Sequence, residues 1–125
     1  MNLNFSKLDG LLPAVVQETN TGRVLMLGFM NAEAFRLTVE TGRVVFFSRS
    51  RRKLWTKGET SGHFLRVRAV ATDCDYDSVL IEADISGPGV CHEGYKSCFH
   101  WTLKDAQWTQ TEAPVFRPEA VYKKK

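Results

Sequence analysis

The stretch DCDYDSVLIEADISGPGVCHEGYKSC, residues 73–98, holds all three cysteines of the chain, Cys74, Cys91 and Cys98. It also carries three carboxylates at alternate positions, Asp73, Asp75 and Asp77. If the part before Ser78 is extended, side chains repeat every second residue, and the aspartates share one face at roughly 6–7 Å between successive Cα atoms. Like charges that close repel, and a hard cation with oxygen ligands such as Mg²⁺ turns the repulsion into binding energy. Cys74 lies between two of the aspartates and is expected on the opposite face, where a thiolate suits Zn²⁺. A zinc held by three sulfurs keeps one position open, the arrangement of a catalytic rather than a structural site, and lowers the pKa of bound water to about 7. Cys74 on a strand need not meet Cys91 and Cys98 of its own chain. A second subunit can supply them, so a zinc shared between subunits is one hypothesis this spacing raises.

Plainer readings compete. Alternating acids are commonly a solvated strand face, and lone cysteines are commonly small core residues. A calcium loop would place Asp84 twelfth from Asp73, but Ser78 stands where that loop needs its turn glycine, and Val79-Leu80-Ile81 reads as a buried strand. The clustering of the cysteines with the aspartates and with Cys91-His92 favours metal.

At 125 residues and 43% hydrophobic content the chain suits one folded domain with a core. A formal charge of +3 favours a small anionic ligand without requiring nucleic acid. An odd cysteine count argues against a disulfide framework, and the N-terminal residues 1–7 lack an apolar targeting segment, so a cytoplasmic protein is expected. No run of about 18 apolar residues suggests a membrane span.

In chain order, Leu11 to Gln17 and Arg23 to Phe29 flank a turn with Asn20 and Gly22 and read as a β-hairpin. Asn31 is a helix N-cap, Gly42 the C-terminal stop, and Phe35 and Val39 are expected to pack on one helical face. Val44 to Phe47 reads as a buried strand. His63 to Thr72 is a long strand alternating through Leu65, Val67 and Ala69 against Arg66 and Arg68. Ser78 to Ile85 returns before the turn Gly87-Pro88-Gly89, and Phe99 to Leu103 closes the fold. Residues 1–104 make the domain. Residues 105–125, with Pro114 and Pro118, read as a tail laid on the surface or partly disordered. The fold class is α+β, a mostly antiparallel sheet with one main helix.

Between these strands, residues 48–63 place five basic side chains from Arg49 to Lys57, with Arg51, Arg52 and Lys53 between them. Hydroxyls at Ser48, Ser50, Thr56, Thr60 and Ser61 are interleaved, with glycines at Gly58 and Gly62. Guanidinium forks, hydroxyls and exposed backbone N–H groups together suit phosphate. Trp55 offers a flat face to a base or ribose.

The segments VLMLGFMN (24–31), FSRSRRKLWTKGETSGH (47–63), DCDYD (73–77) and CHEGYKSCF (91–99) together resemble the phosphoribosyl-AMP cyclohydrolases of histidine biosynthesis. The likeness covers residues 24–99. It implies hydrolytic opening of the adenine ring of N1-(5-phosphoribosyl)-AMP, with Zn²⁺ and Mg²⁺, in an intertwined homodimer. Asp73, Asp75 and Asp77 would be the magnesium ligands, and Cys74, Cys91 and Cys98 the zinc ligands, shared between subunits. Substitution at N1 leaves C6 electron-poor and open to activated water. Nucleobase deaminases also attack adenine C6, but their zinc signature is absent here. Arg49, Arg51, Lys53, Lys57 and Ser61 are expected near phosphates, Trp55 near a sugar or ring. Glu59, His63 and His92 are the candidates for positioning or proton transfer. Two departures stand out. Sixteen residues separate Cys74 from Cys91, one more than is usual in the family, the extra one falling in Gly87-Pro88-Gly89-Val90. Gly28 stands where alanine is commoner, a change expected to matter only for packing.

The rival from another class is a zinc-stabilised RNA-binding module. In it Cys74, Cys91, Cys98 and His100 close a structural site and Arg49 to Lys57 contacts RNA.

Overall fold

Alternating apolar residues shape β1 (Leu12–Glu18), whose inward side chains Leu12, Ala14 and Val16 are fully buried. Gly22, at φ 75°, turns the chain, its amide donating to the Glu18 carbonyl at 2.9 Å. The return strand β2 (Val24–Met30) pairs antiparallel, Ala14 opposite Gly28. The expected hairpin is present, each strand one residue further along. These features come from a computed structural model that describes residues 2–122, so the terminal lysines 123–125 of the expected tail lie outside it.

Helix α1 (Ala32–Thr41) begins and ends at the expected caps. Asn31 Oδ1 accepts from the Ala34 amide at 2.8 Å, and left-handed Gly42 donates its amide to the Thr38 carbonyl. Its buried face includes Phe35, which packs against the core as expected, but not Val39. Ala34 and Thr38 are fully buried, whereas Val39 is exposed. The reason is a hydrogen-bonded junction: the Thr38 hydroxyl donates to the Ala34 carbonyl at 2.8 Å and accepts from the Val45 amide at 2.9 Å. That pair seats the helix on β3 (Val45–Ser48) and rotates Val39 outward.

The basic segment is not one open loop. Its middle forms β4 (Lys53–Thr56), antiparallel to β3 with Phe46 opposite Trp55. Lys53-Leu54-Trp55-Thr56 alternates as a strand should, a pattern obscured by the density of charge around it. Strand β5 (Phe64–Thr72) follows, antiparallel to β6 (Val79–Ser86). A bulge at Arg68 interrupts the alternation expected through Ala69, because Val67 faces Ala83 while Ala69 faces Glu82. The outer edge of β5 is covered, Val44 donating its amide to the Leu65 carbonyl and Val67 to the Gly42 carbonyl.

The main sheet runs β2-β1-β6-β5, antiparallel except for the parallel pair β1–β6. One face, with Val16 and Ile81, packs under α1 and β3 around fully buried Phe46 and Leu25. Strand β7 (Trp101–Lys104) turns through Asp105 and Ala106, both at positive φ, and pairs with β8 (Gln107–Gln110). A short helix α2 (Pro118–Val121) follows. The architecture is α+β, mostly sheet with one main helix, and no helix among the described residues is long and apolar enough to cross a membrane.

Gly28 is a tight point. A Cβ there would lie 2.5 Å from Cδ1 of buried Phe46. Gly28→Ala is therefore expected to destabilise the chain by about 1–3 kcal/mol, read as a lower thermal midpoint. Adding Phe46→Leu should recover part of that loss, since the two side chains share one space.

Candidate active site

The three aspartates come together, but not on a strand face. Residues 73–78 form a turn between β5 and β6, with Tyr76 at φ 63°. Asp73 closes it by accepting at Oδ1 from the amides of Asp77 at 3.0 Å and Ser78 at 3.3 Å. Hydrogen bonding from Ser78 holds the Asp73 carboxyl down at about 2, the neighbouring Asp77 contributing further. One oxygen from each of Asp73, Asp75 and Asp77 lies within 4.8 Å of the others. The Lys7 ammonium bridges Asp75 at 3.1 Å and Asp77 at 2.6 Å. Asp75 and Asp77 thus converge on one positive charge, and the all-oxygen set of three carboxylates on a turn fits a hard divalent ion. Lys7 was not legible as part of this cluster, since nothing local links it to residues some seventy positions away.

The cysteines divide. Cys91 is buried in a tight loop, its amide bonded to the Tyr95 carbonyl at 3.1 Å while its own carbonyl accepts from Gly94 at 3.0 Å. Cys98 is pinned to β2, donating its amide to the Leu25 carbonyl at 2.8 Å, and the buried Ser97 hydroxyl donates to the Val24 carbonyl at 2.8 Å. Cys98 as a residue keeps solvent access, but its thiol faces Cys91 and protein atoms. Burial and the Cys91 thiol together push the Cys98 thiol up to about 11. The Cys91 sulfur groups with a Glu93 oxygen and a His100 nitrogen, one ligand atom of each within 4.8 Å of the others, and this sulfur, nitrogen and oxygen donor set fits a divalent metal such as zinc.

Cys74 is not with them. It lies in the aspartate turn, exposed, its thiol 3.8 Å from Asp75 Oδ1. No group within 4.8 Å joins it to Cys91 and Cys98 among the described residues. The four-ligand set of the rival reading is therefore not assembled within one chain. His100 does approach Cys91, with Nε2 at 3.7 Å from the sulfur. Its Nδ1 is met by the Gln110 amide nitrogen at 2.8 Å, which leaves the ring proton on Nε2 as a donor to sulfur.

Arg51, Lys53, Trp55, Lys57, Glu59 and Ser61 line one cavity of about 330 Å³. The β3–β4 hairpin supplies its wall. A turn in which Glu59 donates its amide to the Thr56 carbonyl and Gly62 to the Gly58 carbonyl supplies its floor. Lys57, 7% exposed, ties this cavity to the sulfurs: burial pushes its pKa down, and the Cys98 and Cys91 thiols act against that. Arg49 is elsewhere, its guanidinium stacked 4.0 Å over the Phe29 ring and lining a neighbouring depression. His63 is buried outside the cavity lining. Its Nδ1 donates to the Gly89 carbonyl at 2.9 Å, and Phe116 meets its ring edge-on. His92 is exposed on the cysteine loop. The turn before Cys91 is pressed close to that loop, since a Cβ at Gly89 would lie 2.5 Å from the Tyr95 carbonyl oxygen.

Gly58, at φ 94°, has no room for a side chain either, since a Cβ would meet backbone atoms of His63 and Phe64 at 2.6 Å. Gly58→Ala combines left-handed strain with a backbone clash, and is expected to cost about 2 kcal/mol or more in stability by denaturant unfolding. Gly62→Ala, at φ 80° with nothing within 4 Å, should cost less.

A family model described as phosphoribosyl-AMP cyclohydrolase matches residues 26–100. The protein named phosphoribosyl-AMP cyclohydrolase from Solibacter usitatus is 57% identical over 98% of this chain and 97% of its own length. Those of the same name from Nitratidesulfovibrio vulgaris and Geobacter sulfurreducens are 49% identical over 96% of this chain and 95% of their protein, and 46% over 99% of both. The resemblance read from residues 24–99 is borne out: the chain belongs to the phosphoribosyl-AMP cyclohydrolase family.

Proposed function

We propose that the chain hydrolyses the N1–C6 bond of N1-(5-phosphoribosyl)-AMP, opening the adenine ring, as a step of histidine biosynthesis. The observation that carries this reading is a cationic and aromatic cavity, lined by Arg51, Lys53, Trp55 and Lys57, in the same chain as a Cys91, Glu93 and His100 donor group whose cysteine acts on the Lys57 ammonium. Phosphate and purine recognition lies on one side and soft-metal ligands on the other.

In this reading Cys91 and Cys98 of one subunit and Cys74 of another hold Zn²⁺, and Asp73, Asp75 and Asp77 hold Mg²⁺. The chemistry a bound zinc supplies is Lewis-acid activation of water. Water adds at C6, the C6–N1 bond breaks, and N1 leaves with a proton. Arg51, Lys53 and Ser61 hold a phosphate of the substrate, and Trp55 meets the ring or ribose. Arg49, stacked on Phe29, serves the second phosphate arm from the neighbouring depression. Glu59 is the one carboxylate lining the cavity and is assigned the proton transfer, with His92 beside Cys91 as the alternative. His63 acts through the Gly89 carbonyl, holding the turn that leads into Cys91.

Two features support the homodimer. The aspartate turn with Cys74 precedes β6 and the Cys91 loop follows it, and eight strand residues separate these ends by roughly 23 Å. The sheet face opposite the core also carries an apolar row, Leu27, Val15 and Leu80 side by side on adjacent strands, with Leu27 and Leu80 exposed. In the proposed dimer a second copy covers that row, and one chain's Cys74 completes the donor set of the other's Cys91 and Cys98. Three free cysteines suit the reducing cytoplasm.

Mixing pure protein with phosphoribosyl-AMP and following ring opening by ultraviolet absorbance tests the reaction. Turnover should vanish with a zinc chelator while far-ultraviolet circular dichroism is unchanged. Turnover indifferent to chelator refutes the zinc role, and unfolding by chelator favours the structural-zinc rival. Sharing between subunits is tested by complementation. Cys74→Ala and Cys91→Ala chains should each be inactive, and their mixture after subunit exchange should regain roughly a quarter of wild-type activity, since only the mixed dimer holds one intact site.

A further inference from the structure

The cavity of about 330 Å³ draws its lining from the segment Ser48 to Ser61 with one exception, Tyr122, near the end of the described chain. Tyr122 does not reach it by a loose path. Thr111 donates its amide to the His100 carbonyl at 3.1 Å, and Glu112 pairs with Arg23, which also donates to the Phe99 carbonyl at 2.9 Å. Val115 donates to the Gly94 carbonyl at 2.7 Å, and Phe116 sets its ring edge-on to His63 at 4.7 Å between centroids. Gly94 takes the contact because it has no side chain: a Cβ would lie 2.6 Å from the Phe116 carbonyl oxygen. The α2 turn then closes with the Tyr122 amide on the Pro118 carbonyl at 2.7 Å. The segment after β8 is thus strapped first to the cysteine loop and then delivers one aromatic ring to the cavity.

We infer that Tyr122 is a specificity-determining residue, an aromatic wall that with Trp55 receives the purine ring while Arg51, Lys53 and Lys57 receive phosphate. The inference rests on the reading of this cavity as the nucleotide site. Phosphate needs charge and donors, which the segment 48–61 already supplies. The Tyr122 hydroxyl can donate to phosphate, whereas its ring adds a flat apolar surface for a base, whose π-face stacks on any such ring, and Tyr122→Phe separates the two. The cavity's volume is at the lower end of about 300–1,000 Å³ for ligand sites and suits one nucleotide arm of a two-armed substrate.

The test compares two probes on wild type, Tyr122→Ala and Tyr122→Phe by titration calorimetry: AMP, which carries the base, and ribose 5-phosphate, which lacks it. Tyr122→Ala should weaken AMP roughly tenfold and leave ribose 5-phosphate unchanged. Tyr122→Phe should match wild type for both, with thermal midpoints of all three chains alike. On phosphoribosyl-AMP, Tyr122→Ala should raise KM with kcat changed much less. Equal losses for both probes, no loss for either, or failure of Tyr122→Phe to restore AMP binding would overturn the inference. A wild type that binds AMP through Tyr122 yet opens no phosphoribosyl-AMP would overturn the proposed reaction and leave this assignment standing.

Discussion

The length of β6 governs this molecule. A strand rises about 3.3 Å per residue whatever its sequence, so the aspartate turn and Cys74 at one end of β6 are held far from Cys91 and Cys98 beyond the other. No side-chain rotation spans that gap. The hard oxygen donors and the third sulfur therefore sit at one pole of the chain, and the sulfur pair with the cationic cavity at the other. The same strand presents Leu80 outward beside Val15 and Leu27, so the surface left apolar lies alongside the hairpin that separates the two poles.

Electrostatics ties the second pole together. Lys57 is a buried cation with no carboxylate partner among the described residues, a costly arrangement if it stood alone. Burial accordingly lowers the Lys57 pKa, and the neighbouring Cys98 and Cys91 act against that shift. At the other pole Lys7 plays the matching part for Asp75 and Asp77, in the open and at less cost. Each cluster of anionic donors is thus accompanied by a lysine from a different part of the chain.

Features that depend on neighbouring residues were legible. Asn31 and Gly42 bound α1 as expected because capping involves only the adjacent turn. The first hairpin, the β6 strand and the basic cavity lining follow from local alternation and composition. The misses share a cause. Val39 is exposed because Thr38 bonds to Val45 on another element, and β4 exists because β3 pairs with it. The bulge at Arg68 is set by register against β6. The aspartates converge through a turn closed by the Asp73 carboxylate, where alternation alone suggested a strand.

Taken by itself, the sequence determined the family, the main helix with its caps, the first hairpin and β6, because motif spacing, capping and periodicity are written in adjacent positions. Only the tertiary structure decided that β1 and β6 lie parallel, that Cys74 parts from Cys91 and Cys98, that Lys7 meets the aspartates, and that Tyr122 joins the cavity. Those facts depend on where the chain returns after tens of residues. That path is settled by burial of Val16, Ile81 and Phe46 in one core rather than by any local pattern.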